Sequence, residues 1–316
     1  MCDNEQTVDA PCEQGVDGSF PPTSQSGSHL LDTYREQNRI NSDAMARASA
    51  NDIAAQGSPK RSRYEKNMRP LIAGNWKMNG TAPQLGEIEA VAAAVHRTRP
   101  AADIVVCPPS TLIWRAVQTA AHRIAIGGQN CASEASGAFT GDESAEMLKD
   151  AGAAWVIVGH SERRQHHGET DAMVAAKAKA AWRAGLLTII CIGETRSQRR
   201  AGNALSVCAD QISGSVPEGI TASGNAIGYE PLWAIGTGHT PKLEEIAQVH
   251  AHIRQCLVTH CGIQGREIRI LYGGSVNPGN AHAILAVPEV GGALVGGASL
   301  KATDFDAIVR AIPTHV

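Results

Sequence analysis

The chain has 316 residues, 43% of them apolar and 19% charged, with a formal net charge of -3. That length allows one large domain or two smaller ones, and the near-neutral balance excludes nucleic-acid binding held by bulk positive charge. The eight cysteines form no CxxC pair and no zinc spacing, so they read as free thiols of a reducing, cytoplasmic setting, and no apolar run reaches the roughly 18 residues of a membrane helix.

Residues 1–67 differ in character from the rest. They are rich in Ser, Asn, Gln and Asp and lack a long apolar period. Ten acidic and seven basic side chains lie there, leaving 21 of each sign beyond, so this segment carries the whole net charge. Disorder is the expectation, with Leu30–Arg35 as a transient helix. There is no secretory apolar region, and the acidic residues argue against a mitochondrial or plastid transit peptide. Met68-Arg69-Pro70 leads straight into the first apolar strand. Two readings stay open: the working protein starts at Met68, or the first 67 residues form a regulatory or targeting arm. Either way the catalytic domain spans 68–316.

From residue 69 short apolar runs alternate with helical patterns. The runs are 71–74, 104–107, 124–127, 155–158, 187–192, 226–229, 268–272 and 293–296. Most are continuous rather than alternating in polarity, as strands covered on both faces should be. Between them, Asp171 to Ala184 predicts a helix stopped by Gly185. Leu243, Ile246, His250, Ile253 and Leu257 step by three and four along another, with Thr240 as N-cap and Pro241 at its first position. Eight such repeats in about 249 residues fit an α/β fold, the closed (β/α)₈ barrel. An open doubly wound sheet is the alternative, but no GxGxxG follows the first strand.

In such a barrel the site lies at the C-terminal ends of the strands. Strand one ends in Asn75-Trp76-Lys77, where the ammonium would meet an anion. Strand four ends in Gly159-His160-Ser161-Glu162. His160 is placed at the start of a short helix, whose positive end favours a neutral, hydrogen-bond-donating ring. Glu162 is expected to hold Lys77, with Ser161 supporting. Strand six ends in Glu230, followed by Pro231-Leu232-Trp233-Ala234-Ile235-Gly236-Thr237-Gly238. That segment is built like a hinged lid, stiff at Pro231 and permissive at Gly236 and Gly238. Gly273-Gly274-Ser275 and Gly296-Gly297-Ala298 end strands seven and eight, the usual barrel position for a phosphate. A base, an imidazole, a cation and a phosphate cradle together suggest proton abstraction from a shielded, phosphorylated small molecule.

These segments, Ala73 to Asn79, Val158 to Arg164, Gly228 to Gly238, Tyr272 to Val276 and Gly296 to Leu300, resemble the signatures of the triosephosphate isomerase family, in order and spacing, over residues 69–312. The resemblance implies a barrel that interconverts dihydroxyacetone phosphate and D-glyceraldehyde 3-phosphate with no cofactor and no metal. It casts Glu230 as the carbon base, His160 as the neutral electrophile, and Lys77, supported by Asn75, as the group that stabilises the enediolate and the phosphate. Gly236, Ser275, Gly296 and Gly297 would hold the phosphate under the closed lid. It also implies a homodimer formed through the loop 129–141; the residues alone read as an ordinary surface loop around Phe139.

The pattern is departed from at His239, where Lys is common, at Gly228, where Ala is common, and at Arg196-Ser197, where Leu-Glu is usual. None of these is expected to touch a catalytic role. Rival readings are weaker. A class I aldolase needs a Schiff-base lysine where this chain has Glu230, and a metal-dependent epimerase needs clustered His and Asp ligands. A non-catalytic barrel would be favoured only by losing Lys77, His160 or Glu230.

Overall fold

All eight apolar runs form parallel strands in the computed structural model, which describes residues 68–235 and 241–313. They are β1 (Leu71–Asn75), β2 (Asp103–Cys107), β3 (Ala125–Gly128), β4 (Trp155–Val158), β5 (Leu187–Ile192), β6 (Asn225–Tyr229), β7 (Arg269–Tyr272) and β8 (Gly292–Val295). Each pairs with its neighbours in chain order, and β1 pairs with β8 from Leu71↔Gly292 to Gly74↔Val295, which closes the barrel. The expectations for residues 1–67 and for Gly236, Thr237, Gly238, His239 and Thr240 lie outside the described residues.

The strands are apolar throughout because both faces are covered. Leu71, Ala73, Val105, Cys107, Ile157, Ile189 and Leu294 pack together on the inner face. Their sequence neighbours Ile72, Val106, Val156, Val158, Ile190 and Val295 join the layer beneath the helices. Successive side chains of a strand point to opposite faces, so the alternation follows from the closed sheet itself.

The helix over Asp171–Arg183 ends as its sequence predicts. Gly185 takes φ +73 and donates its N–H to Trp182 O, while Leu186 N–H returns to Ala181 O. These two bonds satisfy carbonyls that the helix end leaves open. The helix over Leu243–Cys261 starts later than expected. Lys242, not Thr240, precedes its first turn, because the Glu245 carboxylate accepts the Lys242 N–H at 2.9 Å and leaves Pro241 in the loop. Leu243, at the open end of that turn, is 40% exposed, whereas Ile246, His250, Ile253 and Leu257 are buried as the periodicity requires.

Candidate active site

Every described strand-end residue expected in the site meets the others at one mouth of the barrel. A cavity of about 300 Å³ is lined by Asn75, Lys77, His160, Glu230, Ile235 and Ser275, with Gly296 and Gly297 on its far wall.

Asn75 is the last residue of β1, and its buried Oδ1 accepts the Lys77 N–H at 3.0 Å. Lys77 itself has φ 53. That left-handed conformation costs a non-glycine residue about 1–3 kcal/mol, and the surroundings must hold it. Gln129, immediately after β3, does part of the holding: its Nε2 donates to Lys77 O and to Cys107 O, both at 2.9 Å. The Lys77 ammonium meets Glu162 Oε1 at 2.5 Å, the expected pair.

His160 follows Gly159 (φ +68) and caps the helix over Ser161–His167. Its Nδ1 accepts the Glu162 N–H at 3.3 Å, so that nitrogen carries no proton and the neutral ring presents Nε2–H to the cavity. Nε2 lies 2.8 Å from Glu230 Oε1. Burial pulls the imidazole pKa down, the adjacent Glu230 carboxylate pulls it up, and the upward pull prevails while the two touch. Once Glu230 moves away, burial and Lys77 favour the neutral form, and only the Glu162 carboxylate opposes them.

Glu230 leaves β6 fully buried. Burial raises its pKa, but His160, the Ser161 N–H and Lys77 outweigh this and hold it below the ordinary carboxylate value. Its Oε2 accepts the Ser161 N–H at 2.9 Å, and Oε1 accepts the Ser161 hydroxyl at 3.3 Å. Ser161 therefore does more than support: it parks the carboxylate. Across the cavity Gly296 and Gly297 offer bare backbone. A Cβ on Gly297 would meet nothing within 4 Å, and one on Gly296 only Lys77 Cε at 3.7 Å. The protein's own packing does not crowd either position.

The described part of the segment expected to form a lid is anchored. Pro231 and Ala234 are buried, Leu232–Ala234 form a short 3₁₀ turn, and Ser275 Oγ donates to Ala234 O at 2.6 Å. Trp233 Nε1 donates to Glu194 Oε1 at 2.8 Å, which also accepts the Tyr229 hydroxyl at 3.2 Å. Gly236, Thr237 and Gly238 lie outside the described residues.

Several residues with no site role expected from sequence brace the strand ends. Glu194 and Gln129 are polar residues at or just beyond strand ends, and that position was the available signal. Buried Glu169 takes both Lys177 Nζ and Arg163 Nε at 2.5 Å, and Lys177 also donates to Asn130 Oδ1 at 2.8 Å. This triad ties the helix after His160 to the root of the loop 129–141. Arg196, expected to stand clear of the site, reaches the lid: its guanidinium lies 3.4 Å from Trp233 O. Gly228 faces inward among Cys191, Ile189 and Leu294, where a Cβ would sit 3.2–3.3 Å from each.

The triosephosphate isomerase family profile matches residues 70–312. The chain is 56% identical over 247 residues to the triosephosphate isomerase of Afipia carboxidovorans, covering 78% of this chain and 98% of that one. It is 57% identical to the enzyme of Chelativorans over 247 residues, with 78% and 97% covered. A crystal structure of triosephosphate isomerase from Bartonella henselae superposes with a TM-score of 0.73 at 48% identity, covering 77% of this chain and 99% of that chain.

Proposed function

This chain belongs to the triosephosphate isomerase family, and we propose that its barrel mouth performs the family's interconversion of dihydroxyacetone phosphate and D-glyceraldehyde 3-phosphate with Glu230 as the base and His160 as the electrophile. One observation carries the assignment of roles. An anionic carboxylate and a neutral Nε2–H lie 2.8 Å apart at the floor of a cavity that also receives an ammonium.

The triose carbonyl oxygen takes the hydrogen bond of His160 Nε2–H. Glu230 removes the proton from the neighbouring carbon; the C–H bonding pair becomes the carbon–carbon double bond of the enediolate as the carbonyl pair moves onto oxygen. Lys77 Nζ offsets the negative charge on the oxygens, a gain made larger by low local dielectric. Glu230 then returns the proton to the adjacent carbon while His160 relays a proton between the two oxygens. The N–H groups of Gly296 and Gly297, the Ser275 hydroxyl and the N–H of Gly236 anchor the phosphate. The lid from Pro231 to Gly238 excludes water, which protects the enediolate from losing phosphate. Since Glu230 is held by Ser161 and by His160, substrate must part the His160–Glu230 pair as it enters.

The same reading includes a homodimer. Met78, beside Lys77, is 97% exposed, and Phe139 on the loop 129–141 is 47% exposed. Apolar side chains left so open next to a site mark a surface that a second copy would cover. Among the described residues no helix is long and apolar enough to cross a membrane. A cytoplasmic location is the reading that the six free thiols among the described residues support.

A coupled assay with glyceraldehyde 3-phosphate tests the assignment. Glu230→Gln should lower turnover about 10²- to 10⁴-fold with little change in KM. Near-normal turnover would remove Glu230 from the role of base. Sedimentation of the purified protein tests the dimer, and a monomer with full activity would sink it.

A further inference from the structure

A larger cavity, of about 640 Å³, opens at the opposite end of the barrel, where the strands begin. Arg69 and Asp103 line it at the starts of β1 and β2, and Arg269 and Trp155 at the starts of β7 and β4. Arg99 enters it from the turn before β2, and Arg123 from the turn before β3. Four arginines therefore line one space whose wall contains a single carboxylate among the described residues.

That carboxylate is already committed. Asp103 Oδ1 accepts Arg69 Nε at 3.1 Å, and Oδ2 accepts Arg269 NH1 at 2.6 Å. Arg269 is buried, with its guanidinium 5.3 Å from the centre of the Trp155 ring. It is thus a preset, stacked cation rather than a solvated side chain. No side-chain hydrogen bond or ion pair engages Arg99 or Arg123 among the described residues. Left-handed backbone lies at Arg99 itself and directly before Arg123. Arg99 has φ 45 at the end of the helix over Leu85–Thr98, where glycine would be relaxed. Ala121 and His122, directly before Arg123, have φ 47 and 59. Two turns hold non-glycine residues in the left-handed region, and each delivers to the same cavity an arginine without a side-chain partner among the described residues.

We propose that this cavity is a second binding site, separate from the isomerase centre, for a small polyanion carrying phosphate groups. Planar guanidinium groups suit phosphate oxygens through paired N–H donors. A cavity of this size admits a metabolite-sized molecule. Its position at the opposite end of the strands keeps the occupant away from Lys77, Gly296 and Gly297.

Calorimetric titration of the full-length protein with inorganic pyrophosphate, at physiological ionic strength, tests this. A phosphate-bearing probe also has access to the isomerase site, so two variants separate the sites. Lys77→Ala should keep one binding event per chain. The double variant Arg99→Gly with Arg123→Ser should weaken that event by roughly tenfold for each guanidinium removed. Glycine suits the backbone at position 99 and both arginines lie at the surface, so the double variant should fold and turn over normally. In it, inhibition of turnover by pyrophosphate should be unchanged. The site is refuted if Lys77→Ala binds no pyrophosphate, or if adding Arg99→Gly and Arg123→Ser to Lys77→Ala leaves its affinity for pyrophosphate unchanged.

Discussion

Gly193 is the residue whose replacement connects packing most directly to chemistry. It follows β5, against the exit of β6. A Cβ at that position would stand 1.8 Å from Glu230 O and 2.6 Å from Glu230 C, where real Cβ contacts essentially never fall under 3.0 Å. Neither side can yield freely. Gln211 brackets Gly193, accepting its N–H at 2.7 Å and donating to its carbonyl at 3.2 Å. Glu230 N–H is bonded to Ile192 O, and Gly273 N–H to Tyr229 O, both at 2.7 Å. Opening the contact from 1.8 to 3.0 Å therefore moves the base-bearing segment by about 1.2 Å. A misplacement of about 1 Å costs on the order of 10²-fold in rate. Gly193→Ala is thus expected to lower kcat by about that factor in the coupled assay. KM should change much less, because the proposed phosphate cradle at Gly296 and Gly297 follows another strand. Urea unfolding of the same preparation checks that the barrel is intact, with an expected loss of about 1–3 kcal/mol from overpacking. Turnover within threefold of the unaltered protein would show that the strand exits separate without moving the carboxylate.

Three further outcomes follow from other contacts. Glu169→Ala leaves the buried Lys177 ammonium without its carboxylate and should cost about 3–5 kcal/mol in urea unfolding; a loss under 1 kcal/mol would mean the triad is not a brace. His250 is fully buried, and burial lowers its pKa from 6.5 to about 4. The unfolded chain thus binds the extra proton first, so this contribution is complete above pH 6.5 and lost as pH falls toward 4, about 2 kcal/mol between pH 7 and 5. His250→Asn keeps a donor for Glu289 O, to which Nδ1 is bonded at 3.2 Å, and should remove that part of the pH dependence of unfolding; identical slopes would refute the assignment. Gly228→Ala adds a methyl at 3.2–3.3 Å from three inner-face side chains, so turnover should stay within a few fold, and a large loss would show that looseness at Gly228 serves Glu230.

The barrel and the ring of strand-end groups were legible because each depends on local pattern. Continuous apolar runs reveal strands covered on both sides, and a closed parallel sheet then brings their C-terminal ends together whatever the loops do. Lys77, His160 and Glu230 could be read as one site for that reason. Contacts between segments distant in sequence could not be read. Glu194 meets Trp233 across 39 positions and Gln129 meets Lys77 across 52, and nothing in either local sequence encodes the partner. The start of the helix over Leu243–Cys261 was misplaced for a related reason. Pro241 suits a first helical position, but the reciprocal contact between Lys242 and Glu245 sets the turn two residues later.

The same long-range contacts explain how a buried carboxylate can be both stable and reactive. A carboxylate removed from water is costly unless hydrogen-bonded and paired. Glu230 meets that requirement through three donors: the Ser161 N–H, the Ser161 hydroxyl and His160 Nε2–H. Two of them belong to a serine that takes no part in the proposed proton transfers. The third belongs to the electrophile, which has to turn its N–H toward the substrate oxygen. Substrate entry therefore strips Glu230 of its neutral partner and of its resting place, while the low dielectric remains. The loss of those donors raises the proton affinity of the carboxylate when a carbon-bound proton comes within reach. On this reading Ser161→Ala would release the base early: stability should fall by about 1 kcal/mol from the lost hydroxyl bond, while Glu230 keeps the backbone N–H. A turnover loss as large as that of Glu230→Gln would instead place the hydroxyl among the groups that touch substrate.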